Sequence, residues 1–260
     1  MDLVSVVIPV KNGGATLGRT LDSLRTQTYQ AFEVVVVDGG STDNTLAVIE
    51  AAALPNVRVL SDPNGGITTA VNKGLRASTG AILMPWLCSD DFIDSQFIGS
   101  MAESLSGDME FAYGNWHGVD GGVVIKSRRP DLNWARKIRY VMPVLMSNSF
   151  LFRRTVFEKI GYMNEGLRYS CDYDFLRRLQ EAGIRGAYNP NAWYYYQVGG
   201  LSQTRQLACG KEIAQSAISH GSPMLLTYIH LARAYFAVRC SFALNRIRKH
   251  WRVHADGVPR

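Results

Sequence analysis

Two adjacent carboxylates, Asp90 and Asp91, close the stretch AILMPWLCSDD at residues 81–91. Ile82, Leu83, Met84, Trp86 and Leu87 form a nearly continuous apolar run, the pattern of a strand covered on both faces. Ser89, Asp90 and Asp91 then fall at its C-terminal end, where open α/β sheets bind ligands. Adjacent carboxylates repel unless a proton or a cation intervenes. A hard divalent ion, Mg²⁺ or Mn²⁺, takes oxygen ligands and commonly holds phosphates as well. The plainer reading is an Asp pair that caps a helix starting near Phe92. On this stretch alone the two readings are equally supported.

Three further polar clusters follow predicted strands: Pro9-Val10-Lys11-Asn12, Asp38-Gly39-Gly40-Ser41 and Asp62-Pro63-Asn64-Gly65-Gly66. A parallel sheet would set all four clusters along one rim. Backbone groups after the first strand suit a nucleobase. A carboxylate after the second suits ribose hydroxyls or a base N–H, and an Asp pair farther along suits a metal on a diphosphate. Together they read as a nucleotide-diphosphate site, although each alone is an ordinary turn.

The elements that must position these clusters alternate. VSVVIPV (4–10) and FEVVVV (32–37) are β-branched buried strands, and 57–60 is a third. Between them lie a helix over 16–26 with Leu17, Leu21 and Leu24 on one face, and a helix around Thr45, Val48 and Ile49 that Ser41 or Thr42 can cap. A helix over 68–78 leads into the strand before the Asp pair. This β-α-β-α-β-α-β order predicts an α/β fold, a largely parallel sheet with helices on both faces. The later chain is less regular. Strands are expected at 111–117 and 123–126 around Asp120-Gly121-Gly122, and at 150–153 and 192–198. Helices are expected at 97–105, from Val156, and over 172–182.

The chain has 260 residues, 47% hydrophobic and 19% charged, enough for a full core. Its net charge of +6 is uneven: from Arg205 onward nine Lys and Arg face two Asp and Glu. The main part carries no nucleic-acid footprint. Two regions are expected: a main domain at 1–204 and a basic, amphipathic helical tail at 205–260. The tail sets Leu225, Leu226, Ile229, Tyr235, Phe242 and Trp251 beside Arg233, Arg239, Arg246 and Arg252, as in a helix lying on an anionic membrane surface. The competing reading is a helical pair packed on the main domain, or on a second subunit in a homo-oligomer. Cys88, Cys171, Cys209 and Cys240 show no CxxC spacing. With no apolar run long enough to span a bilayer and no secretory leader expected, the location read from sequence is the cytoplasm, with peripheral attachment to the inner face of the cell membrane.

Residues 3–204 resemble the inverting, GT-A-fold glycosyltransferases of family 2, in their bacterial cell-surface polysaccharide branch. The matching phrases are VSVVIPVKNGGATLGRTLDSLRTQTY, FEVVVVDGGSTDNT, AVNKG with STG, the CSDD end, and SFLFRRTVFEKIGYMNEGLRYSCDYDFLRRLQEAG followed by GGLS. The resemblance implies a Rossmann-type nucleotide-binding sheet with a C-terminal helical extension. It implies that Pro9, Val10, Asp38 and Gly39 line the nucleoside pocket, and that Asp62, Asn72 and Lys73 shape the nucleotide-sugar site. Ser89-Asp90-Asp91 matches the family's DxD-type motif, with Asp91 the direct metal ligand and Asp90 facing ribose or sugar. Asp172 matches the catalytic base, and Asp174 either supports it or starts the helix. The partners implied are a nucleotide-diphosphate sugar, more readily UDP than GDP or dTDP, and a glycan or polyprenyl-linked acceptor, with Mn²⁺ or Mg²⁺ as cofactor.

The sequence departs from the family pattern at Gly39, Asn64 and Thr69, where relatives often carry Asp. It departs also at Cys171, often Glu, and at Met146, often His. The QxxRW signature of processive synthases is absent, and Gln203-Thr204-Arg205-Gln206 only echoes it, so addition of one sugar is expected. Two other functions compete. Gly13, Gly14, Gly18 and Asp38 mimic part of a dinucleotide fingerprint, but the spacing is GGxxxG and leaves Ser89-Asp90-Asp91 unexplained. A catalytically silent nucleotide-sugar scaffold would predict loss of a carboxylate, and both Asp91 and Asp172 are present. Trp193, Tyr194, Tyr195 and Tyr196 are read as strand and core residues rather than as a sugar platform.

Overall fold

The structure is a computed structural model and describes residues 1–138, 147–200 and 204–233. Met146 and residues 234–260 of the tail, including Cys240, lie outside them. The β-branched runs form the centre. Strands β1 (Val4–Val10) and β2 (Phe32–Asp38) are buried at every position. They pair in parallel, with β3 (Val57–Ser61) outside β2 and β4 (Ile82–Met84) on the other side of β1. Alternate residues feed opposite layers: Val7, Val35 and Val37 join one core, Val6, Ile8, Val34 and Val36 the other.

Helices close both faces. On α1 (Leu17–Arg25) the buried positions are Leu17, Thr20, Leu21 and Leu24, a single stripe at helical spacing. Helix α2 (Thr45–Ala52) packs beside it, and α3 (Ile67–Ala77) lies on β1 and β2. At the end of the sheet away from Asp38, β2 buries Glu33. Burial pushes this carboxyl up, but hydrogen bonds from Thr79 and Ser5 and the charge of Arg58 outweigh it and hold it at about 2.

The second half makes the sheet mixed rather than largely parallel. Its order is β3-β2-β1-β4-β8-β6-β9-β5, with β7 paired to β6. Here β5 is Phe92–Ile93, β6 Phe111–Asp120, β7 Val123–Arg128, β8 Phe150–Arg153 and β9 Gly186–Gln197. The β6–β7 turn needs Gly121 and Gly122, whose φ values are +54° and +84°. Helices α4 (Phe97–Glu103), α5 (Trp134–Lys137), α6 (Arg154–Ile160), α7 (Cys171–Glu181) and α8 (Gln206–Ser219) complete the described elements that have both ends defined. The first residues of the expected tail, α8, pack on α7 through buried Ile213, Ala214 and Ala217. Residues 224–233 are helical as well.

Three local expectations are corrected. Strand β4 stops at Met84, because Pro85 has no N–H for the ladder, although Trp86 and Leu87 stay buried and the Leu87 N–H still donates to the Val7 carbonyl at 2.8 Å. No helix starts near Phe92. Phe92 and Ile93 pair antiparallel with Tyr195 and Tyr194, and the helix waits until Phe97. Neither Ser41 nor Thr42 caps α2, which opens after Asn44. The Ser41 hydroxyl donates to Asp38 at 2.5 Å, and the Thr42 N–H donates to the Asn12 side chain at 2.9 Å.

Gly74 is the contact between α3 and the sheet: a Cβ there would lie 2.4 Å from Val7 Cγ1. Gly74→Ala gains helix propensity but overpacks this seam. The expected net effect is a destabilisation of about 1–3 kcal/mol, measured by urea unfolding.

Candidate active site

Parallel β1, β2 and β3 end together, so the loops after them meet on one rim. The Gly39 N–H donates to the Val10 carbonyl at 2.8 Å, and the Asp62 N–H to the Asp38 carbonyl at 2.7 Å. Asp38 is buried, and its carboxylate accepts the Gly40 N–H, the Ser41 N–H and the Ser41 hydroxyl. This internal ring of donors fixes its orientation. Lys73, from α3, donates to the Ser61 carbonyl at 2.6 Å and pairs with Asp62 Oδ1 at 3.2 Å. Asp62 Oδ2 is buried with no hydrogen-bond partner among the described residues. Gly65 has no room for a side chain there, since its Cβ would fall 1.8 Å from that oxygen. Pro9 and Val10 are buried at the end of β1, beside Val37 and Asp38.

Asn72 is fully buried. Its amide N–H₂ donates to the Met163 carbonyl and to Glu165, and its oxygen accepts the Met163 N–H. It therefore ties α3 to the 161–167 loop rather than presenting a free amide to the rim.

The carboxylate pair sits beside the first loop. Gly13 abuts Ser89, and the Arg19 guanidinium donates to the Asp90 carbonyl at 2.9 Å. Cys88, Asp90 and Asp91 each turn a ligand atom to within 4.8 Å of the others. Asp91 is only 4% exposed. Its Oδ2 accepts the Tyr194 hydroxyl at 2.6 Å and the Asn148 amide at 3.4 Å, and its Oδ1 accepts the Gln197 N–H at 2.8 Å. Burial nevertheless dominates these bonds and, with the neighbouring Asp90, pushes the Asp91 carboxyl up to about 6. Burial raises Asp90 too, and it drives the Cys88 thiol well up, so that the sulfur keeps its proton. Two carboxylates that both resist ionisation form a pocket short of positive charge. An oxygen-rich donor set of this kind fits a hard divalent cation.

Asp172 stands in the first turn of α7, where its carboxylate accepts the Tyr173 N–H at 2.8 Å. The Thr68 hydroxyl donates to the Leu167 carbonyl at 2.9 Å. Because Thr68 lies in the first turn of α3, just after the Asp62–Gly66 loop, this contact ties the segment before α7 to that side of the rim. Asp174 points away from Asp172's surroundings into a buried network with Arg178, Ser216 and His220.

Sequence reasoning overlooked Tyr194, Asn148, Arg19 and the Gln197 N–H, which build the cage around Asp90 and Asp91. Only period-2 alternation in β9 could have pointed Tyr194 inward, and nothing local shows that its hydroxyl reaches Asp91. The aromatic strip beside it packs ring against ring. Phe92 stacks on Tyr195 with ring centroids 4.6 Å apart, His117 on Trp193 at 4.1 Å, and Arg19 covers Phe92 at 4.5 Å.

The raised Asp91 carboxyl has a consequence for stability. Folding favours its protonated form, so the stability it contributes is complete below the ordinary value of 3.8 and is lost as pH rises through about 6. In metal-free buffer the wild type should lose about 3 kcal/mol relative to Asp91→Asn across that window. Urea midpoints of both proteins on either side of the window check this.

Comparison with known proteins agrees with the geometry. The family model described as glycosyl transferase family 2 matches residues 5–161. The chain is 31% identical over 189 residues to a chondroitin synthase from Pasteurella multocida, covering 70% of this chain and 19% of that one. It is 29% identical over 212 residues to a PGL/p-HBAD biosynthesis glycosyltransferase from Mycobacterium tuberculosis, covering 78% of this chain and 80% of that one. Thus the chain spans about a fifth of the synthase's length and most of the mycobacterial enzyme's. Among solved structures, S. aureus TarS superposes with a TM-score of 0.66 at 23% identity, over 88% of this chain and 42% of TarS. The mannosyltransferase PcManGT from Pyrobaculum calidifontis superposes with a TM-score of 0.64 at 20% identity, over 100% of this chain and 76% of that one. These likenesses show the GT-A-like α/β fold, and the span matched by the family model contains Asp38, Asp62, Asp90 and Asp91. The chain belongs to glycosyl transferase family 2.

Proposed function

We propose that this glycosyltransferase moves one sugar, with inversion, from a nucleotide-diphosphate donor to a hydroxyl of a surface glycan or polyprenyl-linked acceptor. The observation that carries the proposal is the charge-deficient cluster of Asp90 and Asp91 on the same rim as Asp38 and Asp62. TarS has been solved with UDP and with UDP-GlcNAc, and PcManGT with GDP-Man and Mn²⁺, which supports a nucleotide sugar as donor and a divalent ion as cofactor. UDP is the favoured base. Pro9, Val10 and Gly39 offer backbone groups to it, Asp38 offers a fixed acceptor, and the Asp62–Lys73 pair borders the sugar phosphate.

Asp91, oriented by Tyr194 and the Gln197 N–H, would hold the ion together with the more exposed Asp90. The ion supplies positive charge against the departing diphosphate. Asp172 takes the proton of the acceptor hydroxyl as its oxygen bonds to the anomeric carbon. The bond from that carbon to the diphosphate breaks, and the nucleotide leaves with the electron pair. One base and no protein nucleophile give inversion. The dinucleotide-oxidoreductase alternative falls with family membership, and packing accounts for two of its glycines: a Cβ at Gly13 would strike Val10 and one at Gly14 would strike Asn44.

Peripheral attachment to the membrane belongs to the same proposal. No helix among the described residues is long and apolar enough to cross a bilayer. Residues 224–233 nevertheless expose Met224, Leu225, Tyr228 and Ile229 beside Arg233, an apolar helical face next to a basic sequence.

Calorimetric titration with UDP, GDP and dTDP, each with and without Mn²⁺, tests the donor site. UDP should bind in a Mn²⁺-dependent way, and Asp91→Ala should weaken it by roughly a hundredfold or more. Metal-dependent binding of GDP alone would move the donor class, and binding of none by a folded protein would remove the proposal. Asp172→Asn should lower turnover by about a hundredfold or more while leaving nucleotide affinity unchanged. For the membrane, sedimentation with phosphatidylglycerol vesicles should lose binding by on the order of tenfold in Leu225→Glu. Unchanged sedimentation, or concentration-dependent self-association in place of vesicle binding, would assign that face to a second copy of the chain.

A further inference from the structure

Helix α8 reaches the candidate base through one side chain. The Glu212 carboxylate accepts three consecutive backbone N–H groups: Arg168 at 3.1 Å on Oε1, then Tyr169 at 2.7 Å and Ser170 at 3.0 Å on Oε2. Ser170 is the residue before α7 and is 1% exposed. It does not cap its own helix. Its hydroxyl instead donates to the Cys209 carbonyl of α8 at 3.1 Å. The segment entering α7 is therefore held from outside, by α8, and Asp172 follows only two residues later.

We infer that Glu212 is a positioning residue for transfer: its carboxylate gathers the 168–170 backbone and so fixes the first turn of α7 and the direction of Asp172. The inference rests on the reading of Asp172 as the base. Its physical basis is the geometry of the bonds. Three backbone donors converging on one anion define a single loop conformation, because the charge is satisfied only when all three point inward. A general base must lie within hydrogen-bond reach of the proton it takes, and small misplacements of reacting groups are costly in rate. Nucleotide affinity depends on the β1, β2 and β4 ends, which Glu212 does not touch. The effect should therefore fall on turnover and not on donor binding. Glutamine keeps the length of the side chain, but it has one acceptor oxygen and turns an N–H₂ toward backbone donors, so it breaks the convergence without removing the packing.

The test uses the full chain and a double-mutant cycle. Turnover is read as release of UDP from UDP-GlcNAc, or of GDP from GDP-mannose, to water in the presence of Mn²⁺, with the donor selected by calorimetry. Glu212→Gln should lower kcat by about tenfold or more, with donor KM and nucleotide Kd changed by less than about twofold. Amide hydrogen exchange at 168–170 should quicken. In an Asp172→Asn background the same substitution should cost nothing further, which a merely structural role would not reproduce. Ser216→Ala, which removes another α7–α8 hydrogen bond without touching the loop, should keep wild-type turnover, and melting curves confirm that each variant is folded. Wild-type kcat in Glu212→Gln despite faster exchange would overturn the inference, as would an undiminished loss in the Asp172→Asn background. Wild-type turnover in Asp172→Asn alone would instead refute the base assignment, and the two failures are thereby distinguished.

Discussion

A buried carboxylate held against its own desolvation is the constraint on which the rest depends. Asp91 lies at the seam where the parallel half of the sheet, ending in β4, meets the antiparallel addition of β5 and β9. Its oxygens accept from Tyr194 and the Gln197 N–H on β9 and from Asn148 before β8. Its backbone carbonyl takes the Thr20 hydroxyl of α1 at 2.7 Å. One residue thus joins four elements that are distant in the chain. Burial still outweighs these bonds and leaves a site with unmet demand for positive charge, which is how a stabilising junction can also be a binding site.

The same logic separates the functional residues from those that frame them. Asp38 has its carboxylate ringed by donors of its own loop, which fixes its orientation. Asn72 is spent entirely on the 161–167 loop and works at one remove, by keeping α3 aligned with the segment that leads to α7. Thr68 continues that path to Leu167, and Glu212 closes it from the side of α8. The donor rim and the candidate base are therefore joined by hydrogen bonds to backbone, whose geometry is more restrictive than apolar packing. The segment that reads as an appended tail supplies one wall of this arrangement.

Much of the fold and the rim is legible in residue types alone. β-Branched runs such as VSVVIPV and FEVVVV have few alternatives to a buried strand. A parallel order forces the loops that follow them onto one edge, so Asp38, Asp62 and the Asp90–Asp91 pair fall together from their positions in the chain. Where local patterns mislead, a tertiary contact has overridden a local preference. Phe92 and Ile93 are strand because Tyr194 and Tyr195 are there to pair with them. Ser41 gives up its capping role because the Asp38 carboxylate is the stronger partner.

By itself the sequence determined the α/β class, the rim, the carboxylates on it and the family, because each is written in residue type and short-range periodicity. Only the tertiary structure decided how those carboxylates are held. The Tyr194 hydroxyl meets Asp91 across 103 residues, and Glu212 meets the 168–170 backbone across more than forty. No pattern within one element encodes such meetings, since they depend on how separate elements pack and on which buried polar groups must then find partners.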